Sequence, residues 1–92
     1  MGELSGFQRD LLYTIPGLDR PSGRTIAEEV ERTFERSVSH GLLYPNLNEL
    51  VEANLVVKGE IDRRTNAYEL TPVGRERAEE RVRWERDRLG VG

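Results

Sequence analysis

Residues 55–71, LVVKGEIDRRTNAYELT, set the architecture of the whole chain. Val56, Lys58 and Glu60 alternate with Val57 and Ile61, and the pattern resumes through Ala67, Tyr68, Glu69 and Leu70. Period-two alternation on both sides of Asp62-Arg63-Arg64-Thr65-Asn66 predicts a β-hairpin with an exposed basic tip. The bland reading of that tip is a solvated turn that only closes the hairpin. Two adjacent arginines at its apex favour a binding role, with an anion as the partner.

Upstream, the period changes. Leu4, Phe7, Leu11, Leu12 and Ile15 recur at three- and four-residue steps, predicting a helix over residues 5–15. Ser5 is its expected N-cap and Pro16-Gly17 its stop, and residues 17–23 read as a loop. Ser22 or Thr25 can cap a second helix, and Thr25-Ile26-Ala27-Glu28 has the spacing of a capping box. Ile26, Val30 and Phe34 form its expected buried stripe, with Glu28, Glu29, Glu31, Arg32 and Glu35 facing water. Residues 37–41 read as a polar, Gly-containing turn. Leu43, Leu47, Leu50 and Val51 then mark a third helix ending near Asn54, with Pro45 expected in its first turn. The second and third helices form a helix-turn-helix.

Downstream, Thr71-Pro72 opens a last helix over residues 72–89. Val73 and Trp84 share one side, while Ala78, Val82 and Leu89 lie roughly 140–180° away. Two separated apolar stripes need two surfaces to cover them. A small monomer covers one, so the other is expected on a second copy, giving a two-fold homodimer. Ala78, Val82, Trp84 and Leu89 are the interface candidates, with the choice of stripe left open. The plainer alternative is a frayed tail with scattered apolar residues. The expected fold is mainly α with one β-hairpin wing (α+β). A winged helix-turn-helix head occupies residues 1–71 and a C-terminal dimerisation helix residues 72–92, within a single compact domain overall.

Composition narrows the function. Ninety-two residues, 36% hydrophobic and 34% charged, make one domain with a thin core. No apolar run is long enough for a bilayer and residues 1–15 carry no signal-peptide pattern, so a cytoplasmic location is expected. The absence of cysteine rules out disulfides, thiol switches and Cys-ligated zinc, and a single histidine builds no His-rich metal site. No P-loop, dinucleotide fingerprint or Ser-His-Asp spacing is present. Glu28, Glu29, Glu31 and Glu35 scatter round a helix without a cleft. The expectation is a non-enzyme without cofactor or evident small-molecule effector.

The remaining candidates are nucleic-acid contacts. The third helix presents Tyr44, Asn46, Asn48, Glu49 and Glu52 outward. A carboxamide pairs bidentately with adenine, so Asn46 and Asn48 suit the major groove of double-stranded DNA, and Tyr44 reaches phosphate or a thymine methyl. Glu49 and Glu52 are repelled by phosphates unless turned away. Arg63 and Arg64 must therefore supply the attraction, at the backbone or in a narrow minor groove. Thr65 and Asn66 hydrogen-bond phosphate without charge. Gln8, Arg9, Ser22 and Arg24, near helix starts, form a second rank of phosphate candidates. His40, placed in the polar turn, either donates to phosphate or makes a local hydrogen bond. A net charge of −3 speaks against a nucleic-acid binder, and leaves a winged-helix protein-interaction module as the rival reading.

Several of these segments resemble one family. Gly41-Leu42-Leu43-Tyr44-Pro45-Asn46-Leu47 followed by Leu50-Val51 looks like the third-helix signature of PadR-like winged-helix transcriptional regulators. The stretch DRRTNAYELT and Thr71-Pro72-Val73-Gly74-Arg75 resemble that family's wing and the start of its dimerising helix. Gly6-Phe7-Gln8-Arg9-Asp10-Leu11-Leu12-Tyr13 is similar to the opening of the short haloarchaeal members, among them a regulator of the oxidative-stress response. The resemblance implies a homodimeric DNA-binding regulator with Tyr44, Asn46 and the wing arginines near DNA. It also implies that the acidic total is an adaptation to salt. With one C-terminal helix, the chain departs from longer members that carry a separate effector domain. An oxidative-stress role, if shared, would sense without a cysteine.

Overall fold

Each of the four α-helices begins where a hydroxyl is placed to cap it. In the computed structural model, which describes residues 3–90, these are α1 (Gly6–Thr14), α2 (Gly23–Phe34), α3 (His40–Glu52) and α4 (Pro72–Leu89). The outermost residues of the expected head and closing helix, 1–2 and 91–92, lie outside the described residues. Ser5 and Gln8 form a reciprocal capping box at α1. The hydroxyls of Ser22, Ser39 and Thr71 accept from the N–H groups of Thr25, Leu42 and Gly74. Such caps stabilise a helix by about 1 kcal/mol each.

Three local expectations are corrected by these caps. Ser22 caps α2, and Thr25 is already inside it, so the Thr25–Glu28 spacing is not used as a box. Ser39 caps α3, which places His40 and Gly41 in its first turn instead of in a connecting turn. Pro45 consequently sits in the helix interior. Its missing N–H leaves the Gly41 carbonyl without the usual helical donor, at a point where both residues are exposed. The link from α2 to α3 contains no glycine. Glu35 takes the left-handed conformation there (φ 49°), the role a glycine usually fills after a helix.

The core gathers one stripe from each element. Leu11, Leu12 and Ile15 from the first helical segment meet Ile26 and Val30 of α2 and Leu43, Leu47 and Leu50 of α3. Leu55, Val56, Tyr68 and Ala78 close it from the hairpin and α4. Burying each large side chain contributes about 1.5–3 kcal/mol. Phe34, expected in this stripe, stays 44% exposed. As the last residue of α2, it lines a surface groove with Tyr13 and Leu18 instead.

Strands β1 (Val56–Glu60) and β2 (Asn66–Leu70) pair antiparallel in the register Val56↔Leu70 to Glu60↔Asn66. Asn66 thus opens the second strand and is not part of the turn. Val56 is buried, whereas Val57 and Ile61 face solvent. The loop before α2 gives β2 a second neighbour. Ser22 bridges Ala67, and Tyr68 N–H donates to the Pro21 carbonyl at 2.9 Å. This ties the wing to the start of α2. No helix among the described residues is long and apolar enough to cross a membrane.

Candidate nucleic-acid interface

Three elements converge on one cleft. The first turn of α2 supplies Ser22, Gly23 and Arg24, α3 supplies Tyr44, and the wing supplies Arg64, Thr65, Asn66 and Tyr68. The cleft encloses about 370 Å³. Six of the candidates named from sequence, Ser22, Arg24, Tyr44, Arg64, Thr65 and Asn66, are brought together here. Tyr68 was missed. The visible signal was an aromatic in the strand just past the basic tip, two residues from Leu70 on the inward face.

The wing tip is held by its own acid. The Asp62 carboxylate accepts from the N–H groups of Arg64 (2.8 Å) and Thr65 (3.0 Å), fixing an Asx-type turn. Ile61 N–H donates to the Thr65 carbonyl at 2.8 Å and closes the loop. With Asp62 engaged by backbone, the guanidinium groups of Arg63 and Arg64 form none of the ion pairs found among the described residues. Arg24 is paired, with Glu28 at 3.5 Å, but both side chains are largely exposed and the pair is weak.

Tyr44 lines the cleft from α3. His40, one turn earlier in α3, meets its ring edge-on at 5.6 Å between centroids and 79° between planes. His40 is exposed and is not among the residues that line the cleft. Burial pushes the Tyr68 phenol above its ordinary value, with a smaller push from Tyr44. Tyr68 therefore remains a neutral hydroxyl at physiological pH.

The carboxamides divide. Asn48 is exposed on α3 and makes none of the side-chain hydrogen bonds seen among the described residues. Asn46 is half-buried and committed within the chain. Its Nδ2 donates to the Leu42 carbonyl at 2.8 Å, and its Oδ1 accepts from Gln8 Nε2 at 3.0 Å. Gln8 Nε2 also donates to Glu49 Oε2, while Gln8 Oε1 accepts from Ser5 N–H. Gln8 is thus a brace between α1 and α3, and it holds the Glu49 carboxylate. Neither Gln8 nor Asn46 lines the cleft. Arg9 is elsewhere: its Nη1 donates to the Leu4 carbonyl at 2.8 Å, and it shares a small pocket with Arg77, Arg81 and Tyr13 on the α4 side.

The two stripes of α4 part company as well. Ala78 is 9% exposed and packs into the chain's own core, so it is no free interface residue. Val82, Trp84 and Leu89 remain exposed at 41%, 48% and 78%. Arg81 and Arg88 both lie over the Trp84 ring, their guanidinium carbons 4.7 and 5.0 Å from its centroid. Beside Val82, a groove of about 460 Å³ runs over Tyr13, Pro16 and Leu70. No group of three or more His, Cys, Asp or Glu among the described residues could hold a metal ion.

A helix-turn-helix whose third helix shares a cleft with an arginine-tipped hairpin defines the winged-helix class. Residues 11–80 match the transcriptional regulator PadR-like family, and the chain belongs to it. Solved structures agree. RosR of H. salinarum, in crystals grown from NaBr, superposes with a TM-score of 0.88 at 36% identity, over 94% of this chain and 77% of that one. The hsRosR-S4 complex gives 0.89 at 37% identity, over 94% and 74%. F93 from STIV, a winged-helix DNA-binding protein, gives 0.68 over 87% and 86%; at 22% identity it shows a shared fold alone. No curated protein matches the chain in sequence.

Proposed function

We propose that the chain is a sequence-specific DNA-binding transcriptional repressor, cytoplasmic and homodimeric. The observation that carries this reading is the cleft in which Tyr44, the α2 start and a wing with unpaired arginines face one space. α3 enters the major groove, where Tyr44 and Asn48 meet base edges and phosphate. Arg63 and Arg64 take the backbone or minor groove, and Arg24, Ser22, Thr65, Asn66 and His40 line the phosphate path. Repression is favoured over activation because no surface among the described residues resembles an activating one.

Residues 1–71 read DNA and residues 72–92 join two copies through one exposed side of α4, either Val82 with Leu89 or, on the opposite side, Trp84. A two-fold dimer then presents its two third helices to successive major grooves, about 34 Å apart. The acidic total fits a concentrated-salt setting. At about 1 M salt the Debye length is roughly 3 Å, so long-range steering is lost and direct hydrogen bonds carry more of the affinity.

Fluorescence anisotropy on duplexes selected from genomic DNA tests the reading. Replacing Arg63 and Arg64 together by alanine is expected to weaken binding roughly 100-fold, with the fold intact. Unchanged DNA affinity, combined with loss of a protein complex, would instead establish the interaction-module reading. For the dimer, sedimentation of the Val82→Asp, Leu89→Asp double variant is expected to give a monomer; an unchanged dimer removes that stripe from the interface.

A further inference from the structure

We infer that Gly23 is a positioning residue, kept bare so that the Tyr44 ring can lie on the first turn of α2 and present its hydroxyl there to a DNA phosphate. This rests on the cleft being the DNA interface, and adds which backbone position sets the pose of which side chain.

The space at Gly23 requires glycine. Its backbone is not left-handed, since Gly90 is the glycine with positive φ among the described residues. A Cβ at position 23 would stand 2.7 Å from Tyr44 Cε1, 2.9 Å from its hydroxyl oxygen and 3.0 Å from Cζ. Ordinary carbon contacts lie at about 3.5–4.0 Å. The phenol packs against the Gly23 backbone and meets the His40 imidazole of its own helix in a T-shaped contact.

The pose matters because of what surrounds the hydroxyl. It lies at the start of α2, where backbone N–H groups before the first intrahelical bond point outward and the helix dipole is positive. The N–H groups of Gly23 and Arg24 have no partner in the protein. Tyr68, 2% exposed as a residue, lines the same cleft, and its hydroxyl, which makes no hydrogen bond within the protein, is not sealed from solvent. Tyr44, Tyr68, Gly23 and Arg24 line one cleft together with Arg64. A phosphate oxygen matches that set of donors.

The test is a cycle of Gly23→Ala and Tyr44→Phe, read by anisotropy on a selected duplex over a range of salt. A methyl at position 23 meets the far end of a side chain that can swing, and alanine is the better helix former, so Tm is expected to stay level or rise. Each single variant is expected to bind roughly tenfold more weakly, the worth of one hydrogen bond to a charged group. The double variant is expected to be no weaker than either single, because both remove the same contact. The slope of log affinity against log salt stays unchanged, whereas Arg64→Ala flattens it by roughly 0.9. Wild-type affinity in Gly23→Ala, losses that multiply in the double variant, or a collapsed thermal transition each overturn the inference. Failure of the unaltered protein to bind any selected duplex strikes the DNA reading itself.

Discussion

The first turns of α2 and α4 follow one plan and serve different ends. In both, a hydroxyl caps the third residue: Ser22 accepts from Thr25 N–H at 3.1 Å, and Thr71 from Gly74 N–H at 2.9 Å. In both, a buried glycine faces another element. The opposed group is what differs. A Cβ on Gly74 would meet the Leu55 carbonyl oxygen at 1.9 Å, which is backbone and cannot swing aside. A Cβ on Gly23 would meet a phenol ring, which can. The turn of α4 is further tied down, because Thr71 N–H donates to Leu55 O at 3.0 Å and the Thr71 hydroxyl to Asn54 O at 2.6 Å. The same local signature therefore fixes the fold in one place and a binding side chain in the other.

Gly74→Ala breaks the comparison most sharply. The helix cannot dock without moving the α3–β1 junction, and a loss of about 3 kcal/mol or more is expected in a denaturant titration. Gly23→Ala, the matching change in α2, is expected to leave that titration unmoved while lowering DNA affinity. Near-equal destabilisation by the two changes would erase the distinction. The smallest effect concerns pH. Tyr68 has a folded pKa raised by burial, so its contribution is fully present below the unfolded tyrosine value of about 10 and is lost as pH rises through the folded value. Stability should therefore fall in alkali, and less steeply in Tyr68→Phe. Tyr13, also raised by burial against the opposing pull of Arg81, keeps part of the slope in that variant.

What could be read in the sequence was what depends on near neighbours. Period-two alternation around residues 62–66 gave the hairpin, and Ser5 and Thr71 were placed as caps because a hydroxyl preceding an apolar-periodic run has a short-range role. Where local rules competed, they misled. Ser37, Ser39 and Gly41 looked like a turn, yet Ser39 caps α3 and glycine is tolerated in the first turn it opens. Facts that depend on distant residues left no trace in the pattern. Asn46 reads as a base-contacting carboxamide until Gln8, remote in sequence, is seen to occupy it. Ala78 and Val82 share a stripe on paper, but only the head decides that the first is buried and the second is left open. Gly23 looked like loop punctuation because its reason, the Tyr44 ring, arrives from another helix.

The central claim is that DNA lies in the cleft shared by α2, α3 and the wing. Amide chemical shifts recorded while a selected duplex is added test it most directly. The account predicts that the changes concentrate at Gly23, Arg24, Tyr44, Asn48 and residues 63–66, leaving the outer half of α4 quiet apart from uniform broadening. Changes confined to Val82, Trp84 and the groove over Tyr13, with the cleft silent, would contradict it.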